Sequence, residues 1–174
     1  EEYALLREIY KNDFEALDVV LNHNLYIFNE EAVDFYHKNQ IKHFTAPLEL
    51  NYKEWLGISW KDSDILVYGY LPVMISAQCV IKNTNGCKKA FGNSHIISME
   101  DRLNKKFIVK TNCVDCYNTI YNSEVFSILN QAEEVLQLSP AAIRMDFTLE
   151  DKETVKQSIK ALIDAGEYPA NMWG

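Results

Sequence analysis

Asp64–Asn83 reads DILVYGYLPVMISAQCVIKN, and the fold turns on how this stretch is read. It is the longest apolar run in the chain, and it delivers Cys79, the first of four cysteines. Val, Ile and Tyr in its first half favour strand. Pro72 has no N–H to give to a ladder, so a strand over Ile65–Ile75 is expected to break there or to lie at a sheet edge, with Gly69 as a second interruption.

Working outward towards the N-terminus, strand and helix signals alternate. Glu2–Tyr10 has helical spacing. Leu17–Phe28 reads as two short strands around a turn at His23–Asn24. Asn29 is a good N-cap for a helix over Glu30–Lys38, with Glu30 and Glu31 in the first turn, where the helix dipole favours anions. Ile41–Ala46 is the next strand, ended by Pro47, and Leu50–Trp55 a short helix with Asn51 as cap.

Beyond Lys82 the texture changes. Asn83–Ser94 is polar and rich in turn residues. Ile96–Asp101 and Lys105–Lys110 predict a β-hairpin around Arg102–Asn104, Cys113–Cys116 falls in the following turn, and Thr119–Tyr121 is a short strand. Ser123 is expected to cap a long helix over Glu124–Gln137. Ala142–Phe147 is a strand, and Thr148 with Asp151 resembles a capping box before a helix over Lys152–Asp164 that stops at Gly166. Strands alternating with helices predict parallel pairing and right-handed crossovers. The expected fold is therefore α/β, one domain over residues 1–174: a partial (β/α)8, TIM-type barrel with a cysteine-bearing β-hairpin insertion over residues 82–122.

The composition, 48% hydrophobic and 24% charged over 174 residues, is that of a globular chain with a real core. A net charge of −8 argues against broad, unspecific nucleic-acid binding. No apolar run is long enough to span a membrane. The chain opens EEYALLREIY, acidic rather than basic and then apolar, so no secretory signal is read and a cytoplasmic location is the default. The missing Met and the helical character of this opening point to a fragment of a longer protein.

The cysteines are spaced Cys79-x7-Cys87-x25-Cys113-x2-Cys116. Three readings compete. The four thiolates surround one metal centre: zinc prefers two close pairs, and Cys79/Cys87 is wider than the usual knuckle, whereas a [4Fe–4S] cluster takes one sulfur per iron and tolerates irregular spacing. Or they are small buried hydrophobes. Or they form a redox dithiol or a disulfide. The metal or cluster reading is preferred. His23, His37, His43 and His95 are scattered without a metal or triad pattern, and His37 reads as a solvated residue on a polar helix face. Asp146 and Glu150 close the AIRMDF strand, at the end where barrel enzymes keep their chemistry; an Arg144–Asp146 ion pair is the plainer reading. Asp101–Arg102 reads as a turn. No glycine-rich phosphate loop is present.

Asp64, Val67, Gly69, Leu71, Ser76-Ala77-Gln78-Cys79 and Asn83 together resemble the signature of the peptidase U32 family, the collagenase-like proteases. Gly86-Cys87, Asp101-Arg102, Tyr117–Glu124 and the late strand Ile143–Thr148 extend the likeness in the family's order over residues 17–165. The resemblance implies a (β/α)8-type barrel of which this chain is the C-terminal half, with the missing N-terminal half of the same protein as partner. It also implies a [4Fe–4S] cluster on Cys79, Cys87, Cys113 and Cys116, as in members linked to hydroxylation of ubiquinone and RNA. Where those members have a cysteine after Gly-x-Leu, this chain has Pro72, so the fourth ligand falls to the CxxC, or the cluster is lost or replaced by zinc. Their histidine before the glycine is Tyr68 here, and the basic Gly/His end is replaced by EYPANMWG at Glu167–Gly174.

The family name implies peptidase activity on a protein substrate. Hydrolysis, however, needs an activated nucleophile or a metal-bound water, and no base is positioned by the sequence to activate Ser76 or Cys79. The catalytic residues are unknown at this stage, and hydroxylation or redox chemistry on RNA or a small molecule is the expected alternative. A non-catalytic half-barrel interaction module with structural zinc or no metal is the competing reading. A half-barrel leaves open sheet edges, which predicts a homodimer for the isolated chain.

Overall fold

A computed structural model describes residues 5, 8–10, 17–84, 86 and 94–166. Cys87, the tail at residues 167–174, most of the helix expected over Glu2–Tyr10 and most of the turn-rich segment before Ser94 lie outside the described residues. The chain divides into two compact units, residues 1–67, 129–145 and 159–174 in the first and residues 68–128 and 146–158 in the second.

In the first unit, β1 (Val20–Leu21) pairs in parallel with β2 (His43–Thr45), and β2 in parallel with β3 (Ser63–Gly69). Helix α1 (Glu30–Lys38) lies in the first crossover. Its start is fixed by Asn29, whose side chain accepts the Ala32 N–H at 2.8 Å. Helix α2 (Tyr52–Trp55) lies in the second crossover and carries a capping box. Asn51 Oδ1 accepts from Lys53 and Glu54 N–H, and Glu54 Oε2 accepts back from Asn51 N–H at 2.8 Å. The core is aromatic as well as aliphatic. Trp60 is 1% exposed, sits against Phe44 and Trp55, and satisfies its indole N–H on the Trp55 carbonyl at 2.7 Å. Ile65, Leu66 and Val67 of β3 are buried in succession, as expected of a parallel strand covered on both faces.

In the second unit, β4 (Pro72–Ser76), β5 (Ile96–Glu100), β6 (Lys106–Asn112) and β7 (Tyr117–Tyr121) form an antiparallel sheet in the order β4-β7-β6-β5. Helix α3 (Val80–Thr84) follows β4. Pro72 opens β4, an edge strand whose register shifts between Pro72 and Met74, so the break expected at this proline is present. The β5–β6 hairpin turns on Asp101, whose Oδ1 accepts from Leu103 and Lys105 N–H. This is the turn role expected of Asp101.

After β8 (Phe126–Ser127) come α4 (Ala132–Gln137), β9 (Ala142–Asp146) and α5 (Lys152–Gly166). β8 pairs antiparallel with the end of β3, Tyr68 with Ser127 and Gly69 with Phe126, and β9 also pairs with β3.

Three sequence expectations are corrected. The turn expected at His23–Asn24 is present as a 3-10 turn over His23–Leu25, capped by Asn22 through His23 N–H, but no second strand follows it, since Tyr26 takes a left-handed φ of 55° and residues 26–28 are irregular. The long helix from Glu124 is not formed: Phe126 and Ser127 are drawn into the sheet, and helix begins only at Ala132. The cap of α5 is Asp151, whose Oδ1 accepts Thr154 N–H at 2.8 Å, while Thr148 N–H is bound by Glu150. The fold is mixed α/β, with two sheets, five helices and no closed barrel among the described residues.

Candidate functional site

Antiparallel pairing sets which loops share an end of the β4–β7 sheet. Ser76 at the end of β4 faces Asn118 near the start of β7, and Asn112 at the end of β6 faces Tyr117. Cys79 therefore leaves the sheet at the same end as the turn holding Cys113 and Cys116. His95, just before β5, is at this end too: its N–H donates to Thr111 Oγ1 at 2.9 Å, and its carbonyl accepts Thr111 N–H at 2.9 Å. Cys87, expected as a fourth ligand, lies outside the described residues.

Each loop is held by side chains. Buried Asn118 donates its Nδ2 to the carbonyls of Gln78 at 2.7 Å and Ser76 at 3.3 Å, and so ties the chain just before Cys79 to β7. Asn112 Oδ1 accepts from Val114 and Asp115 N–H, and its Nδ2 donates to Asp115 Oδ2, which shapes the CxxC turn. Cys116 ends that turn with φ +57°, a conformation that suits glycine or asparagine better than cysteine. Thr111 Oγ1 lies 3.6 Å from Cys113 Sγ, within hydrogen-bond range for sulfur.

Cys79 and Cys113 are half-buried and Cys116 is exposed, and all three are free thiols. Their chemistry suits a thiophilic metal or an iron–sulfur cluster. The described residues alone nevertheless gather no group of three or more His, Cys, Asp or Glu side chains able to hold a metal ion.

Other candidates take structural roles. Ser76 Oγ accepts from Gln78 N–H at 3.2 Å, and among the described residues no histidine or carboxylate hydrogen-bonds it. Glu150 Oε2 accepts from Thr148 and Leu149 N–H, which ties its carboxylate to its own loop. Arg144 donates to Thr45 Oγ1 at 3.2 Å and Asn22 Oδ1 at 3.4 Å. His37 is not simply solvated: its ring is half-buried, with Nε2 3.9 Å from Asp62, beside a cleft of about 160 Å³.

Sequence reasoning missed a groove of about 410 Å³ on the β6–β7 face, lined by Lys110, Asn112, Tyr117, Thr119 and Tyr121 and, in the adjoining turn, Cys113. Burial, and secondarily the neighbouring Tyr117 phenol, push the Tyr121 hydroxyl above its ordinary pKa, so it stays protonated as a donor. The available signal was the period-two alternation of these residues along two strands, which marks a shared face only once the register pairs Lys110 with Thr119. No protein-family model, no curated protein and no solved structure matches this chain. No helix among the described residues is long and apolar enough to cross a membrane.

Proposed function

We propose that this chain is the C-terminal half of a U32-type, collagenase-like barrel protein in which Cys79, Cys87, Cys113 and Cys116 hold a [4Fe–4S] cluster. The observation that carries the reading is that the sheet register brings the Cys79 loop and the Cys113/Cys116 turn to one end of a single sheet. Two further observations support it. β1, β2 and β3 lie side by side in chain order, parallel, with α1 and α2 in their crossovers, and β9 pairs with β3 across the inserted sheet, the order consecutive barrel strands would have. Cys116 holds a left-handed φ of +57° at the end of the CxxC turn, an unfavourable position for a β-carbon that a ligand role for its sulfur would offset.

A bound cluster would supply one-electron chemistry. The chain's own part is to hold these loops through Asn112 and Asn118, and to keep the Thr111 hydroxyl within hydrogen-bond range of the Cys113 sulfur. Such a site suits hydroxylation or redox chemistry on a cytoplasmic protein or RNA substrate better than proteolysis, because Ser76 lacks an activating base among the described residues. The N-terminal half of the barrel would complete the sheet beyond β1. Iron and acid-labile sulfide assay of anaerobically purified protein tests the proposal.

The second reading is a non-catalytic half-barrel interaction module with structural zinc or no metal; its metal-free form is the one that fits the described residues taken alone, which bring no three donors together. Zinc retained after a chelator challenge supports its metal-bound form. Four thiols that titrate freely in the native protein support its metal-free form.

A further inference from the structure

We propose that the groove on the β6–β7 face is a binding site for a small oxyanion-bearing ligand, a carboxylate or a phosphate, held by Lys110 with the hydroxyls of Tyr117, Thr119 and Tyr121 around it. The inference goes beyond the cluster reading and stands whether or not the cysteines hold metal. Lys110 is half-buried on an inner strand. Its cross-strand partners are Thr119 and Ile96, neither an acid, and among the described residues its ammonium meets no carboxylate. A lysine so placed is drawn to an anion, because partial burial weakens the water screening that an exposed lysine enjoys.

The lining is donor-rich. No carboxylate side chain lines the groove among the described residues, and the nearby turn acid, Asp115, is engaged by Asn112 Nδ2 at 3.0 Å. In a chain of net charge −8, this groove is lined by a cation and by no carboxylate among the described residues. Its volume of about 410 Å³ falls within the roughly 300–1,000 Å³ usual for small-molecule sites. The tyrosine rings offer an apolar wall for the rest of the ligand.

The test is titration of the isotopically labelled chain, at constant ionic strength, with inorganic phosphate and separately with benzoate, followed by amide NMR. Saturable one-to-one binding of either probe, with shifts centred on residues 108–112 and 117–121, is the expected result; the probe that saturates identifies the headgroup class. Lys110→Gln should weaken binding roughly tenfold, the loss of one charge-assisted contact. Lys53→Gln, which removes the same charge from exposed α2, should leave it unchanged. The proposal is overturned if neither probe saturates, if the shifts map elsewhere, or if Lys110→Gln binds as Lys53→Gln does. Should Lys110→Gln fail to fold, the shift map on the unaltered chain still decides.

Discussion

A β-carbon built on Gly69 would lie 2.7 Å from the carbonyl oxygen of Asp146. That is closer than real contacts allow, and the atom it meets is backbone, so relief would require β3 or β9 to move. The glycine in the middle of the Asp64–Asn83 stretch is therefore set by a tertiary contact with a strand some distance on in sequence. Gly69→Ala is expected to destabilise the fold by about 1–3 kcal/mol, the usual size of an overpacking defect. Chemical denaturation measures it, and an unchanged midpoint would mean that the strands separate more easily than their packing implies.

Asn118 is the lock on the Cys79 loop. Its side chain is fully buried and spends both N–H donors on the carbonyls of Ser76 and Gln78. Asn118→Ala should cost about 1–2 kcal/mol, because two part-buried hydrogen bonds are lost and a cavity is left at a buried position. It should also speed the reaction of the Cys79 thiol with a disulfide reagent in the metal-free protein. Thiol kinetics resolved by mass spectrometry separate this local effect from global unfolding, which would expose Cys79 and Cys113 alike.

Cys116 gives a prediction with two signs. Cys116→Gly removes a left-handed β-carbon and should stabilise the metal-free chain by about 1 kcal/mol, while lowering its capacity for iron. If Cys116 has no ligand role, the gain in thermal midpoint appears without any loss of metal. In the unaltered metal-free protein, exposed Cys116 should be the first of the described thiols to react.

Asp151 starts α5, and the hydrogen bonds from Thr154, backbone N–H first, hold its carboxyl below the ordinary value of 3.8. A depressed carboxylate contributes stability that is present above its unfolded pKa and lost as pH falls through the folded one. Its cap should therefore be intact at neutral pH and fail only below 3.8. Asp151→Ala should lower helix content at pH 7 and leave little difference from the unaltered chain at pH 2. Circular dichroism across that range checks it, and an equal deficit at both ends would rule out the carboxylate as the source.

What could be read from the sequence was local chemistry. Asn29 and Asn51 announced α1 and α2 because a capping side chain acts within three residues. Pro72 announced a break because its missing N–H is intrinsic to the residue. Asp101 and the CxxC turn were visible for the same reason. The failures were tertiary. Glu124–Gln137 has good helical spacing, but Phe126 and Ser127 go to the open end of β3. The contact behind Gly69, the buried role of Asn118 and the Lys110 groove all depend on strand register between distant segments. That the Cys79 loop and the Cys113/Cys116 turn leave the sheet at one end is of the same kind, because it too depends on strand register.

The most direct test of the cysteine site is metal content. The full chain, expressed with iron and purified without oxygen, should carry iron and acid-labile sulfide in the equal ratio of a [4Fe–4S] cluster, show the broad visible absorbance of such a cluster, and lose both when Cys113 and Cys116 are replaced together by serine. A colourless, iron-free protein whose four cysteines all titrate as free thiols under the same strict anaerobiosis would contradict the account.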